Sequence, residues 1–281
     1  AYIVGGAVRD ALLKRRVNDL DIATSASPDQ VQAIFPRTVA TGLKHGTVTV
    51  ITPHSTFEVT TFRREGPYND GRRPDYVHFV TDLTTDLARR DFTINAIACN
   101  RNEEIIDPFD GRADIQNKRI RSVGRAEDRF QEDSLRILRA LRLAAELSFD
   151  VEPRTLEAMA STKKVLRRLS IERVTRELDK LLSAPRPGTA LQLLWQQQLV
   201  YELKPLLSLS PSPIPPSDEQ FERFNTEQDV SLRWILFLIL CGVPADDART
   251  TFRAFKMPRK TVNELSQIWQ QADRWSTTFF S

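Results

Sequence analysis

The sequence predicts an α+β head followed by an all-α body. Two observations carry that prediction. Up to about residue 125, short β-branched runs alternate with short helical ones, and from Asp128 onward the strand pattern gives way to helical periodicity. A chain of 281 residues, 41% apolar and 27% charged, is long enough for about two domains and apolar enough to bury a core. The expected division is residues 1–125 as head, 126–206 as helical neck and body, and 207–281 as linker and C-terminal helices.

Tyr2 to Val4 reads as a strand, Val8 to Lys14 as a helix, and Leu20 to Ala23 as a second strand. Pro28 to Ile34 reads as a helix, because Ser27 is a good N-cap and Pro28 suits the first helical position. Thr47 to Thr52 and Phe57 to Phe62 are β-rich runs split by Pro53 to Thr56, which is a hairpin signal, and Val77 to Val80 adds a further strand. Between them Arg63 to Asp75 is polar and carries Gly66, Pro67, Gly71 and Pro74, so it reads as a mobile loop. Helical periodicity then covers Gln131 to Leu147, Pro153 to Ser161, Ile171 to Leu182 and Gly188 to Leu199. Leu207 to Ser217 packs Ser and Pro together and reads as a linker.

Composition excludes several classes. Forty Lys and Arg against 37 Asp and Glu leave a net charge of only +3, so a polyanion would have to be met by a local basic surface. Cys99 and Cys241 are too few for a disulfide or zinc framework, and His45, His54 and His78 lack ligand spacing, which fits a reducing cytoplasm. The longest apolar run, Trp234 to Cys241, falls well short of the roughly twenty residues that span a bilayer, so no membrane association is expected. Ala1 already enters a strand-like run, which suggests a fragment lacking its natural N-terminus.

Chemistry first shows in Asn18-Asp19-Leu20-Asp21-Ile22. On a strand, alternation puts Asp19 and Asp21 on one face, about 7 Å apart, with Leu20 and Ile22 turned into the core. Two carboxylates in one place repel unless a cation neutralises them, and paired divalent ions about 3.5 to 4 Å apart use carboxylates in this way. Hard oxygen ligands without imidazole or thiolate favour magnesium, two ions being expected, with Glu58 on the neighbouring strand as third ligand. The same spacing also occurs at solvated strand ends. Some ten residues earlier, Gly5-Gly6-Ala7-Val8-Arg9-Asp10 ends a strand in two glycines and opens a helix. Bare backbone, free helix N–H groups and the Arg9 fork suit a phosphate there, although an ordinary tight turn has the same letters.

A second cluster lies on the predicted Gln131–Leu147 helix. At about 100° per residue, Glu132, Asp133 and Arg136 share one face, and Phe130, Ile137, Leu138, Leu141 and Ala145 share the other. Glu132 can then hold Arg136 at i,i+4, leaving Asp133 as an acceptor beside a donor. That pair matches the amine and ring nitrogen on the Watson–Crick edge of cytosine and adenine, and opposes uracil and guanine. Arg139, almost in line with Glu132, and Arg142, further round, are within reach of a triphosphate or primer backbone as candidate contacts. A solvated salt bridge is the plainer account of the same residues.

Together these segments resemble the bacterial-type (class II) CCA-adding tRNA nucleotidyltransferases and the similar bacterial poly(A) polymerases. The resemblance rests on Gly5 to Asp10, Asp19 to Thr24, Glu58 to Arg63, Arg89 to Ala96, Asp107 to Gly111 and Glu132 to Ala140, in the family's order, and covers roughly residues 1 to 200 strongly. It implies a polymerase-beta-like nucleotidyltransferase head, with Asp19, Asp21 and Glu58 as catalytic metal ligands. Gly5, Gly6, Arg9 and Arg90 would hold triphosphate, and Asp91 and Asn95 ribose. It makes Asp133 and Arg136 the base readers with Glu132 as buttress, Asp107 to Gly111 a springy connection between head and neck, and Leu169 to Val174 a brace for the reader. The substrates it implies are ATP and CTP, and the partner is tRNA, through its acceptor arm and 3′ end.

Within the family, CCA addition is the expected activity, with CC-adding, A-adding and poly(A)-synthesising enzymes as alternatives. The long loop, including Asp70 and Arg73, favours an enzyme that can switch from CTP to ATP. Lys163, Lys164, Arg167 and Arg168, with Arg173 and Arg176, form a basic stretch that suits RNA phosphates or is one solvated helical face. The resemblance implies a longer helical tail than this chain carries, so a shortened tail is expected here. Oligomeric state is not legible.

Overall fold

A computed structural model describes residues 1–17, 19–68, 71, 74–207, 209 and 215–273. The chain forms two compact units, Ala1–Asp133 and Ser134–Ser281. The helix following residue 125 is therefore part of the first unit.

In chain order the first unit contains β1 (Tyr2–Val4), α1 (Gly6–Leu12), β2 (Asp21–Thr24), α2 (Pro28–Ile34), β3 (Thr38–Gly42), β4 (Thr47–Ile51) and β5 (Thr56–Thr61). It continues through β6 (Arg63–Glu65), β7 (Val77–Phe79), α3 (Leu83–Ala88), β8 (Ala98–Cys99), β9 (Ile105–Ile106), α4 (Gly111–Gln116), β10 (Arg119–Ile120) and α5 (Ala126–Glu132). Among the described residues, seven strands form a mixed sheet in the order β3-β4-β5-β2-β1-β8-β9. Only β2 and β5 run parallel, and their register sets Asp21 beside Glu58 and Ile22 beside Val59.

Alternation sorts this sheet into two faces. Val48, Val50 and Val59 pack with Val31 of α2 and with Ile22 on one face. Val4, Ala23, Phe62, Leu83 and Leu87 form the core on the other. Ser27 caps α2 as expected: its hydroxyl accepts from the Gln30 amide, and the Gln30 side chain accepts from the Ser27 amide.

Three departures matter for function. Part of the segment expected to be a loop is paired, because Arg63–Glu65 forms a hairpin with Val77–Phe79, extended by Gly66–Tyr76 and Asp75–Pro67 backbone bonds. Asp70 and Arg73 lie outside the described residues. The expected second strand starts only at Asp21, so Asp19 and Leu20 precede it, and Leu20 is 39% exposed rather than turned into the core. Asp107 to Gly111 is a capped turn inside the first unit and not a connection between units. Its Asp107 carboxylate accepts from the Gly111 and Arg112 amides at 2.8 Å, at the start of α4.

The second unit contains α6 (Leu135–Leu147), β11 (Asp150–Val151), α7 (Pro153–Thr162), a 3-10 turn over Lys163–Arg168, α8 (Ile171–Leu182), α9 (Pro187–Gln196) and α10 (Leu199–Leu207). After these come α11 (Asp218–Thr226), α12 (Val230–Leu240), α13 (Ala248–Ala254) and α14 (Arg259–Asp273). The buried stripe of α6 packs on α8 and α9, and Trp195, Trp234, Phe221, Phe237 and Phe255 meet in edge-to-face contacts beyond it. Among the described residues no helix is long and apolar enough to cross a membrane.

Candidate active site

The first unit gathers most of the expected head residues at one end of β1 and β2. β1 ends at Val4 opposite Asp21, and the chain turns there through Gly5 into α1. Gly5 needs to be glycine on two counts. Its φ is +73°, and a Cβ at this position would stand 2.9 Å from Nη1 of Arg90. A Cβ on Gly6 would meet the Arg9 guanidinium at 3.5 Å, so both glycines are overlaid by arginines.

Asp21 and Glu58 are register neighbours on parallel strands. Since Ile22 and Val59 face α2, the two carboxylates fall on the opposite face, and both residues are exposed. Neither has a hydrogen-bond or ion-pair partner among the described residues. Asp19, exposed in the segment leading into β2, is not drawn into the same group, and no three His, Cys, Asp or Glu side chains among the described residues form a metal-holding cluster. What fits a hard cation is therefore a pair of adjacent unpaired carboxylates.

Arg9, expected to present its fork to phosphate, is already engaged. Buried to 6% exposure, it donates Nη1 to Asn95 Oδ1 at 2.7 Å and two nitrogens to Asp10 at 2.9 and 3.0 Å. Asn95 in turn donates to Asp91 Oδ1 at 3.2 Å, and that oxygen also accepts from the Phe92 amide at 2.8 Å. The Gly5 amide bonds Ile97 O at 3.2 Å. The glycine turn and the Arg90 to Asn95 segment are thus one hydrogen-bonded assembly, in which Arg9 braces.

Arg90 is the cation that stays slack. Its nearest carboxylate contact is Asp86 Oδ2 at 3.6 Å, and its Nε is buried without a hydrogen bond. Burial pushes its pKa down, against the carboxylates of Asp86, Asp91 and Asp21.

The base-reading geometry differs from the one expected. The helix breaks: Asp133 is extended (φ −138°, ψ 101°) at the end of α5, and α6 begins after Ser134. Glu132 and Asp133 therefore close α5 while Arg136 belongs to α6, and Glu132 pairs with Arg129 at 2.5 Å, one turn back along α5. Arg136 is buried in the first turn of α6. Arg139 is half-buried on the same helix. Arg142 is no free phosphate contact, being held by Glu177 at 2.8 Å and Glu146 at 2.7 Å. Leu169 to Val174 leads into α8 as expected.

The basic stretch lies on the 3-10 turn and the start of α8. Lys163 bonds Gln198 at 2.7 Å and Arg167 pairs with Glu202 at 2.5 Å, whereas Lys164 and Arg168 are exposed and without a partner among the described residues. Sequence reasoning missed Asp86 and Glu65, whose carboxylates hold the arginines behind the glycine turn. The available signal was Asp82, a helix cap just upstream, which places Asp86 one turn into α3.

Residues 1–121 match the poly(A) polymerase head domain model, and residues 148–209 match the model described as a probable RNA and SrmB-binding site of polymerase A. The CCA-adding enzyme of Bacillus subtilis is 44% identical over 268 residues, covering 95% of this chain and 67% of that protein. The chain belongs to the CCA-adding enzyme family. The Geobacillus stearothermophilus CCA-adding enzyme is also 44% identical, across 95% of this chain and 65% of its own length. The crystal structure of the Bacillus stearothermophilus CCA-adding enzyme in complex with CTP superposes with a TM-score of 0.81 at 42% identity, over 97% of this chain and 66% of that one. The chain thus spans about two-thirds of the length of these relatives. A Thermotoga maritima CCA-adding enzyme shares the fold at 24% identity, with a TM-score of 0.70.

Proposed function

We propose that this chain carries out template-independent addition of C, C and A from CTP and ATP to the 3′ end of tRNA, in the cytoplasm, releasing pyrophosphate. The observation that carries the reading is the unpaired Asp21–Glu58 carboxylate pair at the strand end where the Gly5 turn begins. The Bacillus subtilis relative is named for CCA addition, and the Bacillus stearothermophilus CCA-adding enzyme was solved with CTP.

In the reaction, the 3′-hydroxyl oxygen of the RNA bonds to the α-phosphorus, and the bond from that phosphorus to its β-bridging oxygen breaks. The hydroxyl proton is lost and pyrophosphate departs. Asp21 and Glu58, with Asp19 two residues before Asp21, would hold magnesium, which would supply Lewis-acid activation of the hydroxyl and charge stabilisation on the leaving group. Gly5 and Gly6 let the triphosphate approach the backbone, and Arg90 offers the loosely held cation. Asp91 and Asn95 are proposed at the ribose. Asp133 and Arg136 are proposed as base readers, and Lys164 and Arg168 as phosphate contacts, on the strength of the motifs and charge they carry.

The test is incubation of the protein with tRNA lacking its 3′ end and each labelled NTP separately, with magnesium. CMP incorporation, followed by AMP once two C residues are present, is expected, and Asp21→Ala should abolish both while leaving the circular dichroism spectrum unchanged. Incorporation of AMP alone, in long runs, would favour poly(A) synthesis. Full activity of the Asp21→Ala protein would overturn the reading.

A further inference from the structure

Behind the glycine turn, Arg90 joins a buried charge network whose other members the reaction as described does not use. Asp86 is fully buried on α3, and its Oδ1 accepts from the Arg63 amide at 3.1 Å and from Arg89 Nε at 2.9 Å. Its Oδ2 has no hydrogen bond, only the 3.6 Å approach of Arg90. Arg89 is shared, because its Nη1 also reaches Glu65 Oε1 at 3.1 Å. Glu65, on β6, is gripped further by Arg63 at 2.7 Å and by the Tyr68 hydroxyl. One buried carboxylate thus faces two arginines. It closes on Arg89 and stays short of closing on Arg90.

We propose that Asp86 is a positioning residue for the nucleotide: it aims the Arg90 guanidinium across Gly5 while leaving it free enough to turn onto the triphosphate. The argument is one of unfinished bonding. An arginine closed onto a carboxylate would have to break that pair to bind an anion. One with no anchor would lose conformational entropy on binding. Arg90 sits between these cases, since Nη1 lies over the glycine, Nη2 is 3.6 Å from Asp86, and Nε is buried with no acceptor. An incoming phosphate oxygen supplies acceptors that the protein withholds. Because Arg89 divides its charge between Asp86 and Glu65, the hold on Arg90 also depends on the β6–β7 hairpin.

This inference rests on the proposed activity, so its test separates the two. Binding of CTP or ATP is measured by calorimetry on the full chain without RNA, and inhibition by inorganic pyrophosphate is measured alongside steady-state incorporation. Asp86→Asn is expected to weaken nucleotide binding and pyrophosphate inhibition by about tenfold, the scale of one charged hydrogen bond, and to raise KM with kcat changed less. In an Arg90→Gln background the same substitution should add almost nothing, because Asp86 acts through Arg90. Should Asp86→Asn fail to fold, Glu65→Gln serves: Arg89 then leans wholly on Asp86, and nucleotide binding should weaken by about threefold through that charge competition. Unchanged nucleotide binding in the folded variants, or additive losses in the double variant, would overturn the proposal. Wild-type incorporation reports separately on the activity itself.

Discussion

Replacing Arg9 with Met keeps the aliphatic stem and removes the fork that ties α1 to the Arg90–Asn95 segment. The size of the effect follows from the contacts. The 2.7 Å bond to Asn95 is a charged donor on a buried neutral acceptor, a class worth about 1.5 to 3 kcal/mol when broken. The Asp10 pair is partly solvated, with the carboxylate 20% exposed, and adds at most about 1 kcal/mol. Together they predict a loss near 3 kcal/mol, localised to the turn. All four tryptophans lie in the second unit, so fluorescence does not read the first, and hydrogen exchange is the suitable assay. In the full chain, peptides spanning residues 1–13 and 91–99 should exchange about 100-fold faster in Arg9→Met, since each 1.4 kcal/mol is a factor of ten. Arg9→Lys, which keeps the charge but not the fork, should recover less than half of the loss. Acceleration of less than tenfold in those peptides would show that Arg9 does not brace the cradle.

Two further outcomes can be checked. Arg233, buried on α12, donates to the carbonyls of Leu182, Ala184 and Glu227 at 2.6 to 2.8 Å, so Arg233→Met should destabilise the second unit by about 3 kcal/mol; urea unfolding followed by tryptophan fluorescence reads this, and a loss below 1 kcal/mol would count against it. Burial raises the Glu65 carboxyl pKa, but Arg89, then Tyr68 and Arg63, outweigh burial and hold it below its ordinary 4.5. A depressed folded-state value gives stability that is complete above the unfolded value and is lost as pH falls through the folded one. Exchange protection of the β6–β7 hairpin should therefore fall in acid below about pH 4.5, and Glu65→Gln should flatten that dependence while lowering protection at pH 7; an unaltered acid profile would contradict the assignment.

How much of this was legible depends on whether the signal was local. The α2 cap was readable because Ser27, Pro28 and Gln30 carry it within four residues, and α8 was readable because one apolar stripe runs through Ile171–Leu182. The break at Asp133–Ser134 was not, since Phe130, Ile137, Leu138 and Leu141 stay in helical phase across it. Periodicity reports which residues are buried and is silent on whether the backbone between them continues. The short strand Arg63–Glu65 carries no alternation, and its partner lies beyond an intervening loop, so it read as loop. Both misreadings place a residue by its sequence neighbours when its structure is set elsewhere.

The same reasoning separates the candidate site residues. In sequence, Arg9, which follows two glycines, and Arg90, in the Arg89-Arg90-Asp91 run, both read as cations available to a triphosphate. The difference lies 86 residues away, where Asn95 occupies the Arg9 fork, while nothing closes the Nε of Arg90. Asp10 and Asp21 differ likewise: Asp10 is tied to Arg9, whereas Asp21 stands beside Glu58 and neither has a hydrogen-bond or ion-pair partner among the described residues. Folding alone gives no reason to leave like charges adjacent, because repulsion there lowers stability. Asp21, Glu58 and Arg90, whose bonding the fold leaves incomplete, are therefore the groups that the proposed reaction draws on, and the well-bonded Arg9 and Asn95 brace the turn beside them.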